Sequence, residues 1–257
     1  MSKWIFVLAM MLSVQGVAFP WICPGKTCFS VSGSYYESDR FWDERGKKCD
    51  AYQSLKKRSL RFCLGQELNA DFAIYAKGGY AWIDEDLDGR TIGLEDFELS
   101  LTYRLCTDVH VIATAIIPPE DRYKAALRYG RFGGEGGILF RHQLCVPVTL
   151  DLYGGYRFYS GFPSDQVRLA SIASFCPLRF LTFWGGFSCE YGLWNGKERI
   201  DQSHFFYNPN YRLLRGEIAC DLQVLSFGVV RAHYQRHLWG RNVGCGGVFA
   251  LSWLCNF

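Results

Sequence analysis

Apolar and polar residues alternate with a period of two along most of the chain. In residues 94–105, LEDFELSLTYRL, the odd-numbered positions from Phe97 to Leu105 carry apolar or aromatic side chains. The even-numbered positions between them carry charged or hydroxyl side chains. A period of two is that of a β-strand whose two faces meet different surroundings. The pattern therefore predicts strands, and it leaves open which face meets which solvent.

Twelve segments of this kind follow one another from Thr27 onward. Each has about ten residues, the length of a tilted strand that crosses a membrane. They fall near residues 27–36, 55–68, 72–83, 94–105, 109–117, 135–144, 149–159, 166–176, 180–194, 211–221, 224–236 and 243–257. Long connectors alternate with short ones such as Thr107-Asp108. The sequence thus predicts an all-β fold, a transmembrane up-and-down antiparallel β-barrel of about 12 strands with both ends in the periplasm. A secreted soluble β-protein is the alternative.

The composition agrees with interleaved strands and excludes one class of partner. The chain is 49% hydrophobic and 17% aromatic. Beyond residue 18 it has no apolar run of the ~20 residues that a membrane helix needs. The formal net charge is only +3, and the basic residues are scattered along the chain. A nucleic-acid partner is therefore not expected.

The N-terminus has the features of a secretory signal. Lys3 precedes an apolar run from Trp4 to Val14, and the small residues Gly16-Val17-Ala18 follow. Small residues in this position are typical of a cleavage site. We expect a signal peptide over 1–18 and an outer-membrane β-barrel over 19–257.

The C-terminus ends in VFALSWLCNF, with Phe249, Leu251, Trp253, Cys255 and Phe257 on one face. This segment resembles the C-terminal signature by which the barrel-assembly machinery recognises bacterial outer-membrane proteins. The resemblance implies that machinery as a partner, the bacterial outer membrane as the location, and outer-membrane lipid around the barrel.

Aromatic residues are expected in two girdles on the outer face, one at each membrane interface. The alternative is ordinary packing within a sheet, which predicts no banding. The expected low girdle contains Phe72, Phe175, Phe180 and Phe257, and the high girdle contains Trp82, Tyr156, Tyr191 and Tyr234.

One region has a closer resemblance. DEDLDGRTIGLEDFELSLTYRL (84–105) is followed by VIATAIIPPEDRY (111–123) and by YGRFGGEGGILF (129–140). This order is similar to the outer-membrane channel family named for the MetA pathway of phenol degradation. Members typically open an alternating strand with glycine-leucine-glycine-aspartate, where this chain has Glu95 in place of the second glycine. The resemblance implies a transport protein and names no solute.

The inward face carries charged side chains, which are stable only if they pair or meet water. The phase of the strands predicts a lumen lined by Arg61, Lys77, Glu98, Arg104, Arg141, Asp151, Arg157, Arg168, Glu190, Arg215, Glu217 and Arg231. Eight of these are basic and four acidic, which is consistent with a slight anion preference. Twelve strands lie between filled barrels of ~8 strands and open porins of ~16, so both a narrow channel and a plugged lumen are compatible with the pattern.

The segment DEDLDGRTIGLE matches the twelve-position pattern of a calcium loop. Asp84, Asp86, Asp88 and Glu95 are the candidate ligands for calcium, the one cofactor that the sequence indicates. Strands rather than helices flank the segment, which argues against an EF-hand. A solvated acidic loop is the alternative.

The chain has eleven cysteines, an odd number, so at least one has no partner within the molecule. Disulfides persist in exported proteins. The candidates for disulfides or cross-links are those expected near the periplasmic rim: Cys23, Cys28, Cys106, Cys145, Cys176, Cys220 and Cys255. This arrangement predicts a second possible role, a structural envelope barrel linked to neighbouring or periplasmic cysteine-rich proteins. The alternative is that these cysteines pack as small apolar side chains.

An outer-membrane lipid hydrolase is the third possibility. Such chemistry needs a serine activated by a nearby histidine. Ser203-His204 and Ser160 supply these residue types, but no G-x-S-x-G segment occurs. We therefore expect that the protein is not an enzyme and has no catalytic residues.

Overall fold

The structure, a computed structural model, describes residues 27–85, 89–119, 130–161, 163–195, 207–225 and 228–256. The expected signal peptide, residues 1–18, lies outside these ranges. No helix in the described part of the chain is long and apolar enough to cross a membrane.

The described residues form thirteen antiparallel strands. They are β1 (Thr27–Trp42), β2 (Lys48–Glu67), β3 (Phe72–Glu85), β4 (Gly89–Leu94), β5 (Phe97–Cys106), β6 (Val109–Ile117), β7 (Gly133–Cys145), β8 (Val148–Tyr159), β9 (Gln166–Leu178), β10 (Leu181–Gly192), β11 (Tyr207–Leu225), β12 (Gly228–Gly244) and β13 (Gly247–Asn256). All the predicted strands are present, and several extend beyond their predicted bounds.

The sheet closes on itself because β1 pairs with both β2 and β13. The strands β4 and β5 share one position in the ring. β4 pairs with residues 80–85 of β3, and β5 pairs with residues 72–77 of the same strand. The ring therefore has twelve positions, and the prediction of an up-and-down barrel of about 12 strands is confirmed.

The two faces of β5 identify the outside of the barrel. Leu99 is 43% exposed and Leu105 is 62% exposed, whereas Thr102 on the other face is 1% exposed. The apolar face thus points outward and the polar face points inward, opposite to the arrangement in a soluble sheet packed on a core. The described aromatic residues of both predicted girdles lie on the outer face, and these are Phe72, Phe175, Phe180, Trp82, Tyr156, Tyr191 and Tyr234. Tyr234 does not lie high, as predicted, since it pairs with Ile218 in the middle of the apolar outer face of β11.

The two rims differ in the length of their connectors. At one rim, the short-turn rim, the strands are joined by residues 68–71, 107–108, 146–147 and 179–180. The other, the long-loop rim, includes the longer connectors 118–132, 160–165 and 193–206. The interval 237–242, which the sequence prediction makes a connector between its last two strands, is not a loop, since β12 continues to Gly244. The register shifts near Leu238, which hides the alternation in the sequence.

Candidate functional site

The inward faces of the strands carry charged side chains in place of an apolar core. Asp151 is 1% exposed and Arg168 is 3% exposed, while their outward neighbours Leu152 and Leu169 are 40% and 53% exposed. A charged group that is buried without a partner is very unfavourable. The interior of this barrel therefore depends on how its charges pair.

Seven side chains of alternating charge form a continuous chain of ion pairs, the ladder, on β3, β5 and β7–β11: Lys77, Glu98, Arg157, Glu135, Arg168, Glu190 and Arg215. Lys77 Nζ lies 2.8 Å from Glu98 Oε2, and Arg157 Nη2 lies 3.4 Å from Glu98 Oε1. Glu135 Oε2 then joins two arginines, with Arg157 Nε at 2.5 Å and Arg168 Nη1 at 2.8 Å. Glu98 and Glu135 are thus each shared by two cations.

The second half of the ladder repeats this arrangement. Glu190 Oε1 lies 3.0 Å from Arg168 Nη2, and Glu190 Oε2 lies 2.8 Å from Arg215 Nη2. Two tyrosine hydroxyls add further bonds, from Tyr153 to Glu135 and from Tyr211 to Glu190. Charge-assisted bonds of this kind hold long side chains in fixed positions, so the ladder is an ordered layer.

A separate charged cluster lies where the wall is interrupted between β4 and β5. The Glu95 backbone N–H donates to the carbonyl of Gly79, and the Glu95 carboxylate turns inward. Lys57 Nζ lies 2.7 Å from Glu95 Oε1, and Arg61 Nε lies 2.6 Å from Glu95 Oε2. A β-carbon on Gly79 would lie 2.6 Å from the same carboxylate and 2.8 Å from Arg61 Cγ, so a larger residue there would displace this ion pair.

A third cluster combines charge with aromatic rings on β10, β11 and β12. Two nitrogens of Arg231 each lie 2.5 Å from the Asp221 carboxylate. The Arg231 guanidinium carbon lies 4.6 Å from the centre of the Trp184 ring, and the His233 ring stacks on Trp184 at 5.4 Å. His233 Nε2 lies 3.2 Å from Glu217 Oε2. All five side chains are therefore fixed by contacts with one another.

The wall across the barrel from the middle of the ladder carries small side chains. Its inward positions on β13, β1, β2 and β3, which we call the small-residue wall, are Ser252, Ala250, Ser32, Ser34, Ser59 and Ala81. Ala250 and Ala81 are 0% exposed, and Ser32 is 3% exposed. Arg168 and Glu190 at the middle of the ladder are each 3% exposed, so little open space borders the middle of the ladder or this wall.

The predicted lumen residues fall into these arrangements. Arg61 binds Glu95, while Lys77, Glu98, Arg157, Arg168, Glu190 and Arg215 belong to the ladder. Glu217 and Arg231 belong to the aromatic cluster, and Arg141 binds Asp151 through two nitrogens at 2.7 Å. Arg104 lies close to the short-turn rim, where its backbone N–H donates to the carbonyl of Asp71.

Sequence reasoning missed further charged residues of the interior, among them Lys57, Glu85, Glu95, Glu135 and Asp221. Glu135 stands in GGEGG, where the flanking glycines give no apolar phase. The interruption of the strand moves Glu95 to the inner face. Asp221 keeps the phase of Arg215 and Glu217 on β11, so the alternation of that strand contained the signal for it. With these additions the count becomes nine basic against eight acidic side chains, so the basis for anion preference is weaker than the sequence indicated.

The two described members of the calcium pattern do not converge. Asp84 lies on the outer face and pairs with Arg90 at 2.6 Å, while Glu95 points inward. Asp86 and Asp88 lie outside the described residues. Among the residues that are described, no group of three or more His, Cys, Asp or Glu side chains could hold a metal ion. The calcium site stays a prediction.

The described cysteines form no disulfide with one another. Cys106 and Cys145 are exposed at the short-turn rim, with Cys176 partly exposed nearby. Cys28 and Cys255 are buried at the same rim, and Cys220 is partly buried on β11. Cys23 lies outside the described residues. Cross-linking through this rim stays a prediction.

The residues considered for hydrolysis are only partly described. Ser203 and His204 lie outside the described residues, and Ser160 is exposed at the long-loop rim. His142 Nδ1 lies 2.8 Å from Asp108 Oδ2 at the short-turn rim, so this histidine lies at the opposite end of the barrel from Ser160.

Comparison with known proteins bears on the fold. No family model matches the sequence, and no curated protein matches it. Among solved structures, the chain is similar to an outer-membrane channel from Pseudomonas putida F1, with TM-score 0.76, 15% identity, and 96% of this chain and 100% of that chain covered. It is also similar to the translocator domain of the autotransporter NalP from Neisseria meningitidis, with TM-score 0.55, 8% identity, and 92% and 90% covered. The porin NanC has TM-score 0.53, 7% identity, and 89% and 100% covered. The fold is thus that of bacterial outer-membrane barrels, the class that the sequence resemblance indicated.

Proposed function

We propose that this protein is a channel of the bacterial outer membrane through which small solutes pass passively. The observation that carries the proposal is the contrast between the two faces of a closed barrel. The outer face offers apolar side chains to lipid, and the inner face carries charged and hydroxyl side chains.

The paired charges of the interior support a role in transport over a purely structural one. An apolar interior of similar volume is often as stable as a buried ion-pair network, or more stable. A barrel that served only as a scaffold would gain little from the seven charges of the ladder. A solute pathway is lined by polar groups, and the side chains across from the ladder are small and carry hydroxyls.

The dimensions favour a narrow channel. Twelve strands enclose a lumen between that of a filled barrel of ~8 strands and that of a porin of ~16 strands. The ladder occupies part of this lumen, so we expect small conductance steps. The near balance of basic and acidic side chains leads us to expect weak ion selectivity.

A planar-bilayer recording tests the proposal. The mature chain is refolded in detergent, and folding is verified by a heat-sensitive shift in gel mobility. Discrete, small conductance steps would support a channel, and reversal potentials in a salt gradient would measure the selectivity. A folded barrel that never conducts would overturn the proposal.

The exposed thiols favour a second candidate function, a structural barrel linked through its periplasmic rim. Cys106 and Cys145 lie on neighbouring turns of the short-turn rim, where a cysteine-rich periplasmic protein could reach them. Cells alkylated at lysis and analysed by non-reducing electrophoresis would contain reducible high-mass complexes. A purely monomeric band would exclude this function. Assembly through β13 by the barrel-assembly machinery is part of either proposal, and neither includes catalysis.

A further inference from the structure

Two arginines face each other on the outside of the barrel. Arg212 on β11 and Arg241 on β12 are direct cross-strand partners. Their outward neighbours Tyr191 and Trp239 are each 41% exposed, which places both guanidinium groups on the lipid side of the wall. Like charges directly opposite each other on neighbouring strands destabilise a sheet. This position therefore calls for a compensating negative charge.

No described residue supplies that charge. Neither guanidinium has an ion-pair partner within the described part of the chain, and the Nε atom of each is buried without a hydrogen bond there. Another basic residue of the outer face does have a carboxylate partner, since Arg90 pairs with Asp84 at 2.6 Å. Among the described residues, the contacts of the arginine pair are with aromatic rings and not with a carboxylate.

The aromatic rings hold the two guanidinium groups in place. The Arg212 guanidinium carbon lies 4.0 Å from the centre of the Tyr191 ring, and that of Arg241 lies 5.7 Å from the Trp239 ring. Cation–π contacts of this kind orient a guanidinium and leave its N–H groups free for another ligand. The pair is thus prepositioned for an anion.

The height of the pair on the wall identifies the source of such an anion. On β11 the outward residues from Val224 to Leu214 are mostly apolar, with Leu222 and Ile218 strongly exposed. At about 3.3 Å per residue and a tilt of about 40°, this run spans about 25 Å, the height of the apolar band of an outer-membrane barrel. Arg212 is the next outward residue, so it lies at the headgroup level on the side of the long-loop rim.

We propose that Arg212 and Arg241 together bind a phosphate group of an outer-leaflet lipid. This inference rests on the outer-membrane location in the proposed function, but not on conduction. The planar guanidinium groups present N–H pairs that match phosphate oxygens in bidentate geometry. A phosphate between them would neutralise the repulsion, and the acyl chains would extend along the apolar band below.

Lipid binding by the folded barrel in a zwitterionic detergent tests this proposal. The probes are lipid A, its dephosphorylated form and inorganic phosphate, and native mass spectrometry counts the retained molecules. We expect wild-type protein to retain lipid A and not the dephosphorylated form. Each of R212Q and R241Q should weaken retention about fivefold, and the double variant about thirtyfold. R90Q, which removes an outward arginine that already has a carboxylate partner, is the matched control and should retain lipid A normally.

Thermal stability gives a second test, because the effect of R241Q on it should differ with and without lipid. Without lipid, R241Q removes the like-charge contact and should raise the temperature of the heat-sensitive gel shift. With lipid A, the same variant should gain less stability than the wild type.

Unchanged lipid retention in the folded double variant would overturn the proposal. Full displacement by inorganic phosphate at equal concentration would assign the site to a free anion instead. A barrel that binds lipid A but gives no conductance steps in a planar bilayer would overturn only the channel proposal.

Discussion

Glu135 is the residue on which the ladder depends most. Its carboxylate accepts bonds from Arg157 and Arg168 and from the Tyr153 hydroxyl. E135Q would leave two nearly buried guanidinium groups with one carboxylate partner each, Glu98 for Arg157 and Glu190 for Arg168, in place of two. Removing one partner of a buried ion pair costs about 3–5 kcal/mol of the free energy of unfolding. We expect E135Q to unfold at clearly lower urea concentration in detergent, measured by the loss of the compact band on a gel.

A matched control separates this effect from a general loss of charge. Glu37 pairs with Lys56 at 3.8 Å, and both side chains are about half exposed. Exposed pairs contribute only about 0–1 kcal/mol, so E37Q should leave the midpoint almost unchanged. Equal midpoints for the two variants would show that the ladder does not stabilise the barrel.

The Tyr153 ring covers Gly137 on β7 and Gly155 on β8, which face each other across the two strands. A β-carbon on Gly137 would lie 2.4 Å from the Tyr153 hydroxyl, whereas one on Gly136 would meet nothing within 4 Å. We expect G137A to push the ring away from Glu135 and to cost about 1–3 kcal/mol of unfolding free energy. G136A should be nearly neutral in the same urea titration. A neutral G137A would contradict the packing of this ring.

At the scale of elements, the alternation of apolar and polar residues was sufficient to predict nearly every strand. It failed where one residue interrupts the period. The interruption between β4 and β5 turned Glu95 inward, and the shift near Leu238 made the end of β12 look like a loop. Such irregularities depend on which strand lies alongside, and the sequence of one strand does not contain that information.

Cysteines at the two rims allow the orientation of the strands to be tested. Cys49 lies at the start of β2 on the long-loop side, and Cys145 lies at the end of β7 on the short-turn side. We expect a variant that keeps only Cys49 to react with a membrane-impermeant maleimide in intact cells. A variant that keeps only Cys145 should react only after the outer membrane is permeabilised. The reverse result would mean that the barrel is inserted the other way round.

At the scale of the molecule, the sequence predicted a closed barrel but not how its interior is arranged. The residues of the ladder come from seven strands, and their partners are set by the closure of the ring. The small-residue wall was not predicted either, because single serines and alanines such as Ser34 and Ala250 have no distinctive pattern. Only the pairing of β1 with β13 brings them together.

That wall gives the sharpest test of where solutes pass. Ala250 on β13 points inward and is 0% exposed, whereas its neighbour Leu251 points outward and is 53% exposed. If solutes pass between the wall and the ladder, A250W narrows the path, and the single-channel conductance should fall by at least about half, since the pore radius limits flow in a narrow channel. L251W adds an indole of the same size on the lipid face and should conduct as the wild type does.

The heat-sensitive gel shift must first establish that both variants are folded, and A250L offers a smaller change if A250W is not. A folded A250W with wild-type conductance would place the path away from the small-residue wall. Since the ladder is held by shared carboxylates across most of the ring, its side chains cannot withdraw singly to make room. The small-residue wall is the part of the interior where a change of side-chain size breaks no ion pair of the ladder. For that reason, conductance should respond there to the size of a side chain more than to its charge.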